Sequence, residues 1–327
     1  MGPLDFGPRV VAHIEFVEIK GLASRVLRLA IGCVFIPWFV FPSEAQELEP
    51  RRWAHLPVDT NFATIAYAYK ESDISFDPVL QIQDAQAEIH TTAVAYTRTF
   101  EVFDKQARID LVQGWQDGRW KGSVGGERRK IRRRGLADSV VRFAVNLMGA
   151  PPLSGKDFKA YRATTDVETI VGLGLAVQLP TGEYKNDKLI NIGTNRFTFR
   201  PQVGVVHNRG KWSFEVTGKA WIYTANDSFF DGSRLKNEPY YTAQAHIIYT
   251  FRPGLWIAAS SGYGAGGRST VNGDKKDDRR ENLAGAITAG YPITKRLGVK
   301  IGYIGTRSQA SVGSDSDIFL VGISTFW

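Results

Sequence analysis

The sequence predicts an all-β chain, a transmembrane antiparallel up-and-down β-barrel of about twelve strands. Three observations carry this. Apolar and polar residues alternate with a period of two over stretches of about ten to thirteen residues, near the length of a membrane strand and about double a soluble one. The connections between these stretches alternate between tight and long, as in outer-membrane barrels. The chain then ends on an aromatic strand, Phe319 to Trp327, with Phe319, Val321, Ile323 and Trp327 on one parity.

Composition agrees with this. A hydrophobic fraction of 43% over 327 residues, with mean hydropathy −0.20, excludes both a disordered chain and a bundle of membrane helices. Thirty-three glycines and 12% aromatics favour strands. The single cysteine, Cys33, excludes a disulfide framework, a Cys-rich zinc site and a cysteine-held cluster. The histidines (His13, His55, His90, His207, His246) have no metal-ligand spacing, so no metal or cofactor is expected.

Residues 1–45 read as an N-terminal extension and a signal peptide. Lys20, Arg25 and Arg28 form a basic region ahead of the apolar run Leu29–Phe41, and Ser43-Glu44-Ala45 offers small residues at a cleavage site before Gln46. The run is too short to cross a membrane as a helix, and a buried core helix is the alternative. Asp5, Glu15 and Glu18 are out of place in such a leader and suggest a start assigned too far upstream or a disordered extension. Removing 1–45 takes away four bases and four acids, so the formal charge of +8 stays with the exported chain. Residues 46–60 are expected as a periplasmic segment and 61–327 as the barrel.

The strands follow in order. Thr92–Phe100 places Tyr96, Arg98 and Phe100 on one parity, and its inward face is left open. In 138–148, Val141, Phe143, Val145 and Leu147 oppose Asp138, Arg142 and Asn146. In 167–179, Val171, Leu173, Leu175 and Val177 oppose Gly172, Gly174, Ala176 and Gln178. In 195–206, Phe197, Phe199, Val203 and Val205 oppose Arg196, Arg200 and Gln202, and Pro201 suggests a bulge. In 212–222, Trp212, Phe214, Val216 and Ile222 oppose Glu215, Thr217 and Lys219. In 241–251, Tyr241, Ile247 and Phe251 oppose Gln244 and His246; in 297–303, Val299 and Ile301 oppose Lys300. Tight turns at 104–106, 208–210, 252–254 and 294–296 share one end with the N-terminus. Long loops at 74–86, 117–137, 180–194, 226–238, 267–281 and 308–316 share the other, and 150–165 is an exception on the tight-turn side. No helical period competes after residue 46.

Three phrases stand out in the middle of the chain. They are Gly135-Leu136-Ala137-Asp138 with Val145–Pro151, Leu175–Tyr184 with its Pro-Thr-Gly-Glu-Tyr, and Asn191–Pro201 with its Gly-Thr-Asn-Arg. Together they resemble the phenol-degradation MetA-pathway family, over about Phe62 to Trp327; Ala137 stands where that family usually has Gly. The resemblance implies an outer-membrane, transporter-like barrel associated with aromatic catabolism.

Parity assigns the candidate solute path to Arg142, Arg196, Arg200, Glu215, Lys219, His246 and Lys300, with Arg98 open and Asp110 and Glu168 opposite in sign. A lipid-facing Arg at mid-depth costs about 2–4 kcal/mol, so these charges belong in the lumen. Two readings follow. One is a cationic constriction that takes small anionic solutes, aromatic carboxylates first. The other is a lumen plugged by Arg–Glu pairs. The basic run Arg128, Arg129, Lys130, Arg132, Arg133 and Arg134 lies in a long loop, where lipopolysaccharide is the available polyanion; a solvated loop is the plainer alternative. Export argues against a nucleic-acid partner. A lipid-modifying outer-membrane enzyme would need a lipid-facing Ser and His, whereas His246 has lumen parity, so no enzyme is expected.

Overall fold

The computed structural model describes residues 47–75, 82–124 and 126–327, so the signal-peptide reading of 1–45 lies outside the described residues. In chain order the first elements are β1 (Asn61–Ser75), β2 (Ile82–Val102), β3 (Lys105–Val124), β4 (Glu127–Leu136) and β5 (Val140–Met148). A helix, α1 (Gly155–Thr164), precedes β6 (Val167–Gln178), β7 (Thr198–Arg209), β8 (Trp212–Tyr223), β9 (Asn226–Phe229) and β10 (Ser233–Asn237). The chain continues with β11 (Tyr240–Arg252), β12 (Leu255–Gly266), β13 (Ser269–Val271) and β14 (Asp274–Lys275). It ends with β15 (Arg280–Pro292), β16 (Leu297–Ser308) and β17 (Gly313–Phe326).

Twelve strands form the barrel: β1, β2, β3, β5, β6, β7, β8, β11, β12, β15, β16 and β17. Each pairs antiparallel with its neighbour along the chain, and β1 pairs with β17 to close the ring. At that seam Asn61 N donates to Trp327 O at 3.0 Å, and Trp327 N donates to Asn61 O at 3.1 Å. Strands β9, β10, β13 and β14 make a separate small sheet from two of the long loops.

The expected faces hold. On β8, Val216 is 58% exposed while Glu215 and Thr217 on either side are at 1% and 0%. Phe143, Leu173, Val203, Ile247 and Ile301 project outward in the same way, a belt of the kind a bilayer requires. On β2, Val94 and Tyr96 face out and Thr97 and Thr99 face in. Arg98 is therefore not a lumen residue; it sits on the outer side near the short-turn end and donates to Asn61 Oδ1 at 3.1 Å.

Five expectations are corrected. The strand over 195–206 begins only at Thr198, so Arg196 precedes it. Pro201 makes no bulge. It keeps its place opposite Leu175, and the β7–β8 register resumes unshifted from Phe199↔Ile222 to Gln202↔Lys219. The missing N–H is accommodated by a local lapse of pairing with β8. The connection 150–165 holds α1, although no helix was expected there; only Phe158 of that helix is buried, so no apolar stripe announces it. Residues 117–137 are not a loop: β3 runs on to Val124 between β2 on one edge and β4 on the other, with Trp120 opposite Ile131. Finally, Glu47 to Val58 is no periplasmic arm: it folds inside the barrel.

Candidate functional site: the occupied lumen

Leu48, Glu49, Arg52, Trp53, His55, Leu56 and Val58 are all buried against the inner wall. A buried charge is costly unless paired, so the partners of this segment define the site.

Glu47 is held by two wall bases. Its Oε1 accepts from Arg200 Nη1 of β7 at 2.6 Å, and its Oε2 lies 3.7 Å from Lys219 Nζ of β8. Gln244 of β11 donates its amide nitrogen to Glu47 O at 2.6 Å and accepts from Lys219 Nζ at 3.1 Å. The Arg200 guanidinium also lies over the Trp221 ring, 4.6 Å from its centre.

Glu49 meets Arg52 at 2.7 Å and Arg142 of β5 at 3.5 Å. Arg142 is in turn 3.5 Å from Asp110 of β3, which Arg108 meets at 3.4 Å. Glu215 accepts from the Arg52 backbone N at 3.0 Å. Between the two glutamates, Leu48 packs on the opposite wall with Ala68, Ala284, Ala286, Ile304, Ile318 and Leu320. Consecutive side chains thus clasp opposite sides of the bore.

The Trp53 indole lies on two glycines. Gly172 and Gly204 are cross-strand partners on β6 and β7. A Cβ at Gly172 would stand 2.0 Å from the indole, and one at Gly204 1.8 Å from its Nε1. Trp53 Nε1 donates to Thr217 Oγ1 at 2.9 Å. His55 then fills the short-turn mouth. Its Nε2 is 2.8 Å from Pro151 O and its Nδ1 3.3 Å from Glu168. Its ring meets Phe158 and Tyr161 of α1 edge-on, at 4.9 and 5.2 Å. Tyr161 and Arg162 donate to the same Glu168 at 2.9 and 3.0 Å, so the helix and the segment share one carboxylate.

Of the residues the sequence nominated, Arg142, Arg200, Glu215 and Lys219 converge on this segment. Lys300 is buried on β16, facing the same bore. His246 also faces the bore, with its Nδ1 2.8 Å from Ser260 Oγ; this Ser–His pair is on the lumen side, not the lipid side. Arg196 lies apart, at the long-loop rim, where it donates to Asn237 Oδ1 at 2.5 Å and stacks on Tyr223. Arg128, Arg129, Lys130, Arg132 and Arg134 are exposed along β4, and Arg133 donates to Ile190 O at 3.0 Å. Hydrogen bonding from Arg132 holds the Asp117 carboxyl below its ordinary value, with Arg132 Nε to Asp117 Oδ1 at 2.8 Å.

Sequence reasoning missed Glu47, Glu49, Arg52, Trp53 and His55. It also missed Asp138, which gathers the three distinctive phrases at the long-loop end. Its carboxylate accepts from Gly182 N (2.8 Å), Thr194 N (2.9 Å), Thr194 Oγ1 (2.6 Å) and Gln178 Nε2 (3.0 Å). Two signals were available: paired glycines on one wall row, and a surplus of wall bases. Among the buried strand residues Arg108, Arg142, Arg200, Lys219 and Lys300 stand against Asp110, Glu168 and Glu215.

The family model for the MetA-pathway of phenol degradation matches residues 72–312. The chain belongs to this family. No curated protein matches the sequence. Among solved structures this family member is similar to the COG4313 outer membrane channel from Pseudomonas putida F1, with a TM-score of 0.70 and 19% identity, over 86% of this chain and 100% of that one. At such identity the likeness is one of fold. It is also similar to the beta domain of the Bordetella autotransporter BrkA (TM-score 0.46, 9% identity, 82% and 100% covered). The CymD monoaromatic hydrocarbon channel is at TM-score 0.43 and 6% identity, with 83% and 89% covered. These last two scores are too low to bear on function.

Proposed function

We propose that the protein is an outer-membrane channel for small solutes whose bore is held shut by its own residues 47–58. The observation that carries this is the clasp of Glu47 and Glu49 by wall bases, with Trp53 seated on glycine. A structural filler would be expected to be apolar. This one adds ion pairs to its apolar contacts, and the chain leads from it directly into β1. The likeness in fold to a barrel described as an outer membrane channel supports the reading. Twelve strands also give a bore between the filled interior of eight and the open channel of sixteen.

In this reading the short-turn end faces the periplasm, as in outer-membrane barrels, and the β3–β4 arm faces outward. The basic face of the arm suits phosphorylated lipopolysaccharide. The wall bases favour anions once the plug carboxylates leave. Planar-bilayer recordings test the proposal. The wild-type chain should show rare or small openings. The full-length variant Glu47→Gln, Glu49→Gln, Trp53→Ala should conduct steadily, with anion preference in reversal potential. A variant that folds and conducts nothing overturns the channel reading.

A further inference from the structure

The plug carries a carboxylate and an aromatic ring, and the wall has a separate seat for each. The carboxylate seat is Arg200, Lys219 and Gln244 around Glu47. The ring seat is the bare surface of Gly172 and Gly204, with the Thr217 hydroxyl at its edge. The two are in register. Gln202 pairs with Lys219 and Gly204 with Thr217, so bases and slot lie along one inner row. Lys219 is two residues from Thr217, about 7 Å along the strand, and Arg200 is four from Gly204, about 13 Å.

The carboxylate seat holds more donors than Glu47 uses. Arg200 Nε and Nη2 and Trp221 Nε1 are buried and make no hydrogen bond among the described residues. Buried donors left unpaired are costly, and a second acceptor group would satisfy them. The glycine slot is equally specific, because any Cβ there would fill it.

On the reading of the protein as a plugged channel, we infer that the seats of Glu47 and Trp53 form one binding site for an aryl carboxylate with a short alkyl arm, and that the plug is its internal mimic. The solute carboxylate takes the place of Glu47 on Arg200 and Lys219. Its ring takes the place of the indole on Gly172 and Gly204. A ring hydroxyl hydrogen-bonds Thr217 where the indole N–H did. Binding of the solute and seating of the plug are then mutually exclusive, so the solute itself opens the bore.

Hydroxyphenylpropanoate is the probe, and isothermal titration calorimetry on the full chain in detergent is the measurement. Hydroxyphenylpropanol, which lacks the carboxylate, and cyclohexylpropanoate, which lacks the aromatic ring, are the controls. The variant Glu47→Gln, Glu49→Gln, Trp53→Ala should bind the probe at least about tenfold more tightly than wild type, because wild type must first displace its plug. Both controls should bind at least about tenfold more weakly than the probe. Adding Arg200→Gln and Lys219→Gln should abolish the distinction between acid and alcohol. Equal binding of acid and alcohol to the plug-loosened chain overturns the inference without relying on any wall variant. The two proposals fail separately. A loosened variant that conducts but does not bind the probe removes the site and leaves the channel. One that binds and never conducts removes the channel and leaves the site.

Discussion

The carboxylate of Glu49 and the guanidinium of Arg142 stand 3.5 Å apart inside the barrel, with neither side chain more than 3% exposed. Removing one partner of such a pair leaves the other charged and desolvated. Glu49→Ala should therefore cost about 3 kcal/mol, at the lower end of the usual range because Asp110 still faces Arg142. The midpoint of urea unfolding in detergent reads this. Adding Arg142→Gln should cost less than the sum of the single changes, and full additivity would show that the pair is not coupled.

Gly204→Val places side-chain atoms where the Trp53 ring lies, and the plug must yield because the wall is fixed by two ladders. Arg52 is 1% exposed in the native fold. Trypsin should thus cut after Arg51 or Arg52 in the variant and spare the wild type. A variant with unchanged protection at these sites would mean that Trp53 finds another seat.

Asp138 satisfies two backbone N–H groups of the long 180–194 connection. Hydrogen bonds to a carboxylate are worth about 1.5–3 kcal/mol each, so Asp138→Ala should release this loop while the ring of strands persists. Amide exchange should quicken across 180–195 and stay slow on β6 and β7. Uniform exchange across both regions would place the role of Asp138 in the whole barrel.

Replacing Arg128, Lys130 and Arg134 on β4 by Gln should weaken binding to vesicles containing lipopolysaccharide. The difference should shrink as salt is raised, since exposed charges are screened. The Asp117–Arg132 contact should survive in these variants at neutral pH. The Asp117 carboxyl is depressed in the fold, so its contribution is present above the ordinary carboxylate range and is lost as pH falls through the lowered value. Binding unchanged by the triple substitution would leave the arm as a solvated hairpin.

The wall of the barrel was legible because a strand buried on one face writes its environment into every second residue. Glu215 between Phe214 and Val216 is enough to assign three side chains. The plug was not legible, because Glu47–Val58 makes its contacts singly, residue by residue, with strands all round the wall and no repeating period. Helix α1 buries only Phe158, so its ten residues carry no stripe. Strand β4 is exposed along nearly its whole length, and a run of arginines with one Ile reads as a loop when pairing with β3 is what orders it. Arg196 followed the right parity but lies two residues before the strand that parity described.

The backbone bonds between Asn61 and Trp327 join the first barrel strand to the last residue of the chain. The plug ends three residues before Asn61. It is thus tethered at the joint where the first barrel strand meets the twelfth. Ring closure and the filling of its interior therefore share one seam. Were β1 unpaired from β17, the sheet would have an open side beside residues 47–58, and the seam bonds would shut the door behind them.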